Sequence, residues 1–157
     1  MVIGSGRLAR ALALALAEAG MTDITVASRN AASGQQLVEL IEQQTAAGSS
    51  LISLANAPLV PEPETAVLVN ATSIGTANPD AKLPLKADAL GAKTIVVDVS
   101  YNTSRTWLTQ QAAERGCRII DGVSLYVEQT ALALRAWTGV SPDTVAMREA
   151  AEEFLGI

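Results

Sequence analysis

The first thirty residues, MVIGSGRLARALALALAEAGMTDITVASRN, set two glycines between a short apolar run and a helix-like alanine and leucine pattern; a second apolar run follows. This order restricts the fold more than any other feature of the chain. A strand that enters a helix through a tight turn and returns as a second strand makes a crossover, and crossovers build parallel sheets. The pattern continues downstream. "MVI" ends a first strand, and residues 6–19 form a helix with Leu8, Leu12, Ala15, Leu16 and Ala19 on its inward stripe. Further strands are expected over 23–28, 50–54, from Thr65 into the glycine turn at Gly75, over 93–101 and over 117–121. Helices are expected over 31–46, 105–115, 123–138 and 142–155, the last with Pro142 in its first turn, and a proline-rich surface loop over 57–64. The class is therefore α/β, a doubly wound sheet of about six parallel strands with helices on both faces. Residues 1–157 make one domain.

Composition removes several function classes. The net charge of −5 gives no basic face for nucleic acid or an anionic membrane, so an anionic ligand must be held locally. The absence of histidine removes the commonest general base and metal ligand, and no metal site is expected. A single cysteine, Cys117, excludes an internal disulfide, suits a reducing, cytoplasmic setting, and in "GCRIIDG" sits as a buried structural thiol. The basic start and "ALALALAEAG" imitate a signal peptide, but such a leader has no use for "GSG" before its apolar run. No apolar run approaches the ~20 residues of a membrane span.

Placed between strand and helix, "GSGRLA" (Gly4, Ser5, Gly6, Arg7, Ala9) is the G-x-G-x-x-A form of the dinucleotide fingerprint. The first glycine permits the turn, the second admits a pyrophosphate to the backbone, and the small third residue lets helix lie on strand. Phosphates then meet the helix N-terminus. An NAD site usually places a carboxylate at the end of the second strand, yet no Asp or Glu occurs between Asp23 and Glu39. Ser28, Arg29 and Asn30 stand there instead. A guanidinium can pair with a 2′-phosphate and stack on adenine, which makes "SRN" an NADP clamp.

Taken with "NATSIG" (residues 70–75), "DVSYN" (98–102) and "IIDGVSLYVEQTALALRAWTG" (119–139), these motifs make nearly the whole chain resemble the C-terminal, NADP-binding domain of the shikimate/quinate dehydrogenase family, with "SRNAASGQQL" closest to its shikimate-dehydrogenase-like branch. The resemblance implies reduction of 3-dehydroshikimate, or a related cyclic hydroxy acid, with NADPH. It implies that Thr72, Ser73 and Val99 border the cofactor, that the Gly122 carbonyl meets the nicotinamide amide, and that Leu125 replaces a family methionine beside that ring. Tyr101 and Gln129 would touch a small hydroxylated acid such as shikimate or quinate. Asn30, Ser33 and Thr103 depart from the family pattern, at threonine, a second basic residue and proline respectively.

No catalytic residue is assigned within this chain. The family's catalytic lysine and aspartate belong to an N-terminal substrate domain expected to be absent here, and even the first strand looks cut. The lysines Lys82, Lys86 and Lys93 fall in a loop or at a strand entrance, and no tyrosine is followed four residues on by lysine. Two expectations stand side by side: the cofactor half of an NADP-dependent oxidoreductase, inactive alone and open to homodimer formation, or a stand-alone NADP-binding or regulatory module.

Overall fold

The computed structural model describes residues 1–55 and 58–157; the first residue of the expected proline-rich loop, Ala57, lies outside them. The described residues contain one sheet of six strands: β1 (Val2–Ile3), β2 (Asp23–Ser28), β3 (Gly48–Ser53), β4 (Val67–Asn70), β5 (Ile95–Asp98) and β6 (Arg118–Ile120). All pairings are parallel and the order is β3-β2-β1-β4-β5-β6. This is the doubly wound order of a Rossmann fold, with its switch point between β1 and β4. The register aligns Ile3 with Ala27 and Asn70, and Asn70 with Asp98. The next residues in that register, Gly4, Ala71 and Val99 just past their strands and Ser28 at the end of β2, therefore emerge along one edge.

Among the described residues five α-helices accompany the sheet: α1 (Arg7–Glu18), α2 (Ala31–Gln44), α3 (Trp107–Glu114), α4 (Gly122–Thr138) and α5 (Thr144–Leu155). Under α1 and α2, Val2, Ala9, Ala13, Val26, Leu37, Ile41 and Val69 form one buried cluster. The opposite face is closed by α3 and by irregular chain, where Leu59, Leu83, Leu85 and Leu90 join Ile3, Leu68, Val96 and Leu108. Cys117 belongs to this second cluster, with its thiol donating to the Gly91 carbonyl at 3.3 Å. Burial pushes the thiol pKa up despite the opposing pull of Arg115, as suits a structural role.

Several boundaries correct the sequence expectation. The inward stripe of α1 is Ala9 and Ala13, flanked by half-buried Leu12 and Leu16, whereas Leu8, Ala15 and Ala19 are exposed. The helix leaves the glycine turn so close to the sheet that only small side chains fit beneath it. The third strand begins at Gly48, because β2 supplies a full edge from Asp23 to Ser28 and aligns even the weak strand former Gly48 and two serines against it. Pro142 precedes α5 instead of entering it; Asp143 is the N-cap and accepts from Val145 N–H at 2.9 Å and Ala146 N–H at 3.3 Å. Asp121 likewise ends up outside β6, as the N-cap of α4.

Candidate functional site

The carboxyl ends of β1, β2 and β4 open into a cleft of about 960 Å³ lined by Gly4, Ser5, Gly6, Ser28, Arg29, Asn30, Thr72, Ser73 and neighbouring apolar residues. Eight positions singled out from the sequence thus share one wall. The two glycines differ in what holds them. Gly4 has φ +114°, and a Cβ there would stand 2.9 Å from the Ala71 carbonyl oxygen, so its place is filled by the residue that follows β4. At Gly6 a Cβ would meet nothing within 4 Å, and α1 starts there without a side-chain cap. The first-turn N–H groups of α1 therefore face open space, a ready site for an anion.

Hydrogen bonding separates side chains that build the cleft from those left for a ligand. Ser28 is buried; its hydroxyl is 3.0 Å from that of Ser5, donates to the Asn30 carbonyl at 3.0 Å and accepts from Asn30 N–H at 3.2 Å. Asn30 caps α2 by accepting from Ser33 N–H at 2.9 Å, and the Ser5 hydroxyl donates to Ser33 Oγ at 3.1 Å. Arg29 is exposed and has no ion pair or hydrogen bond among the described residues. Of "SRN", two members fix the loop and the third keeps all its donors. Ser33 was missed as part of this arrangement; its position three residues after an N-cap asparagine was the available signal.

The turn after β4 repeats the division. Thr72 Oγ1 donates to Asn70 Oδ1 at 2.7 Å and accepts from Ile74 N–H at 3.1 Å, while the exposed Ser73 hydroxyl has no partner among the described residues. Asn70, fully buried, donates through Nδ2 to Asp98 Oδ1 at 3.1 Å. Asp98, 1% exposed, also accepts from Ser100 N–H at 3.0 Å and from Thr106 Oγ1 at 2.7 Å. A buried carboxylate is tolerable only when its oxygens are so satisfied. This network ties the Thr72 turn to the start of the Ser100–Tyr101 segment and to the cap of α3. Sequence reading quoted Asn70 and Asp98 within motifs without giving them this work; a polar residue ending each of the apolar runs "VLVN" and "IVVD" was the signal.

The remaining candidates lie outside the lining of that cleft. Arg7 is exposed on the first turn of α1, and Val99 continues β5, donating its N–H to the Asn70 carbonyl at 3.2 Å. Gly122 is buried at the start of α4, where a Cβ would overlap the Ser100 carbonyl and lie 2.8 Å from Tyr101 N. Leu125 packs on the cluster beneath α1 and α2. Tyr101 and Gln129 are both exposed, and Tyr101 stacks on Tyr126, with ring centroids 5.6 Å apart and planes at 17°. Tyr126 was not singled out, although Gly122, Leu125, Tyr126 and Gln129 follow the i, i+3, i+4, i+7 spacing of one helix stripe.

The family described as the saccharopine dehydrogenase NADP binding domain matches residues 1–153. The chain belongs to that family. As the sequence resemblance implied, relatives of this NADP binding domain are shikimate dehydrogenases (NADP(+)). That of Archaeoglobus fulgidus is 34% identical over 96% of this chain and 55% of its own, and that of one Thermus thermophilus strain is 37% identical over 100% and 55%. The domain thus spans little more than half the length of these relatives. Among solved structures it is similar to the ligand-free 5-ketofructose reductase of Gluconobacter sp. strain CHM43, with TM-score 0.93, 31% identity and coverage of 98% of this chain and 55% of that one. It is also similar to the shikimate 5-dehydrogenase of a second Thermus thermophilus strain in complex with NADP(H) and shikimate, with TM-score 0.78, 33% identity and coverage of 97% and 53%. No helix among the described residues is long and apolar enough to cross a membrane.

Proposed function

We propose that this domain is the NADP-binding half of a shikimate dehydrogenase-like oxidoreductase. The observation that carries the reading is the contrast at the glycine loop: Gly4 is closed by Ala71, just past β4, while Gly6 stands open at an uncapped helix start in the same cleft as Arg29, which has no partner among the described residues. A pyrophosphate fits over Gly6 and the α1 N–H groups, and Arg29 is free to pair with a 2′-phosphate. Ser73 offers a hydroxyl along the ribose and nicotinamide side, with Val99, Gly122 and Leu125 continuing that side toward α4. When bound, NADPH supplies the hydride that reduces a ketone to an alcohol.

The substrate in this proposal is a small hydroxylated carbonyl compound, 3-dehydroshikimate in the shikimate dehydrogenase reading. Tyr101 and Gln129 present neutral hydrogen-bonding groups to it. A donor for the developing alkoxide and an opposing wall come from a second domain, which corresponds to the rest of the relatives' length. Two observations support such a partner. Among the described residues α5 buries no side chain, and the C-terminal helices expose Leu132, Trp137 at 80%, Val145 and Phe154 at 90%. Large exposed apolar side chains on two adjoining helices suit an interface. The proposal places the protein in the cytoplasm.

Calorimetric titration with NADP and NAD, followed by NADPH absorbance with shikimate or quinate, tests the assignment. NADP is expected to bind more tightly, and the 157-residue chain to give no turnover until its substrate domain is supplied. Misplacing groups around a reacting centre by about 1 Å costs ~100-fold, so half a site leaves negligible rate. Equal affinity for both cofactors overturns the clamp. Tight NADP binding with no turnover even when the second domain is supplied favours a stand-alone binding module.

A further inference from the structure

The Tyr101–Tyr126 stack stands apart from the cleft and from the core. Both rings are about half exposed, at 46% and 50%, and neither phenol oxygen has a hydrogen-bond partner among the described residues. The arrangement follows from Gly122. Because that position has no side chain, the first turn of α4 lies directly on the Ser100–Tyr101 peptide, and one helical turn later Tyr126 arrives over the Tyr101 ring. Gln129 follows on the same stripe. The helix does not need Tyr126 to dock, since Val123, Val127 and Ala131 are buried and Leu125 packs on the sheet-face cluster.

We propose that Tyr126 is a specificity-determining residue: it holds the Tyr101 ring in one orientation and adds a second phenol to the wall against which a hydroxylated substrate packs. This rests on the proposed function above, because it places the substrate between α4 and the end of β5. Two aligned rings with unpaired hydroxyls match a polyhydroxylated ring or short chain. Such a molecule offers C–H bonds to an aromatic face and hydroxyls to the phenol edge. A ligand without a C–H-rich face gains nothing from the second ring. The Asp98–Asn70 network holds the peptide on which this wall stands, through Ser100 N–H.

The test uses the 157-residue chain saturated with NADP, tyrosine-labelled for NMR, and titrated with shikimate up to tens of millimolar. In the wild-type chain shikimate should shift the Tyr101 ring signals saturably. Tyr126→Phe keeps the stack and loses only one hydroxyl, so it should weaken that titration less than Tyr126→Leu does. Tyr126→Leu should abolish the ring-current shift of Tyr101 and weaken shikimate binding by about 3- to 10-fold, the range expected for loss of one aromatic pair. NADP affinity should stay at the wild-type value in both variants, and Tyr126→Leu should lower the melting temperature by no more than a few degrees, as the loss of one exposed aromatic pair allows. Wild-type shikimate affinity in Tyr126→Leu, or a Tyr101 ring that ignores shikimate while NADP is bound, overturns the role of Tyr126 and leaves the cofactor assignment intact. Failure of the wild-type chain to bind NADP overturns the proposed function itself.

Discussion

The amino-terminal and carboxy-terminal helices of this chain are both rich in alanine, yet the molecule uses them in opposite ways. On α1, Ala9 and Ala13 are fully buried against strands that are themselves covered, and the turn before it is fixed through Ser5, Ser28 and Ser33. On α5 no residue is buried, and the helix rests on α4 through a few half-buried side chains and the Arg148–Asp121 pair. Small residues therefore mean close approach in one place and a weakly held element in the other. Composition does not separate these outcomes; the neighbouring sheet does.

The sharpest way to test the first region is to fill its two glycines separately. Gly4→Val puts a branched residue at φ +114° and into the Ala71 carbonyl, so it should cost about 3 kcal/mol of stability or more and abolish nucleotide binding with the fold. A Cβ at Gly6 has nothing within 4 Å, so Gly6→Val should leave the melting temperature nearly unchanged. Affinity for NADP and NAD should nevertheless fall together, because the pyrophosphate loses its approach to the backbone. A loss confined to NADP would show that the open glycine does not mark the phosphate site.

Arg29→Ala should have the next largest effect and act on one cofactor only. Removing a charge-assisted contact costs about 1.5–3 kcal/mol, which is most of the expected NADP preference. Titration of the variant with both cofactors checks this, and NAD affinity should hold.

The pattern of strands, glycines and "SRN" was open to sequence reading because each depends on local chemistry: a turn needing φ above zero, a run of apolar residues, the absence of a carboxylate. What the sequence hid depends on distance. Ser28 and Thr72 looked like ligand donors, but their hydroxyls are occupied by Asn30 and Asn70, a fact set by which strands lie side by side. The stripe on α1 was misplaced because helical periodicity alone favours leucines as the inward face, and it does not record how closely the helix approaches the sheet. The polar ends of "VLVN" and "IVVD" mark Asn70 and Asp98 one at a time, but that they join depends on β4 and β5 lying side by side. Tyr126 needed both a helix stripe and the position of Tyr101.

Substitutions on α1 and α5 should separate the two helices by a smaller margin. Ala13→Leu overpacks the face of α1 and should cost about 1–3 kcal/mol. Phe154→Ser on α5 should change stability by only about ±0.5 kcal/mol in the chain alone, since the ring is already in water. Chemical denaturation of both variants measures the difference. A large loss in Phe154→Ser would mean that the side chain is packed in solution, against a second copy of the chain for example.

The smallest expected effect concerns pH and the way α5 is held. Asp121 caps α4 by accepting from Ser124 N–H at 2.7 Å, and it pairs with Arg148 of α5 at 3.0 Å. Burial alone would raise the Asp121 carboxyl, but hydrogen bonds from Arg148 and Ser124, together with the nearby positive charge, outweigh it and hold the group below the 3.8 of an unperturbed aspartate. A carboxylate with a depressed folded-state pKa stabilises fully above its unfolded value, and that contribution disappears as pH falls through the lower folded value. The pair is more than a third exposed on both sides, so its share is small, about 0.2–1 kcal/mol. Hydrogen exchange in α5 should therefore accelerate as pH drops below 3.8, after correction for intrinsic rates, while protection in β1 and β4 holds. Arg148→Met should flatten this dependence and leave α5 loosely held at every pH. Equal acid sensitivity in the variant and the wild-type chain would assign the effect to another carboxylate and remove Asp121 as the link between α4 and α5.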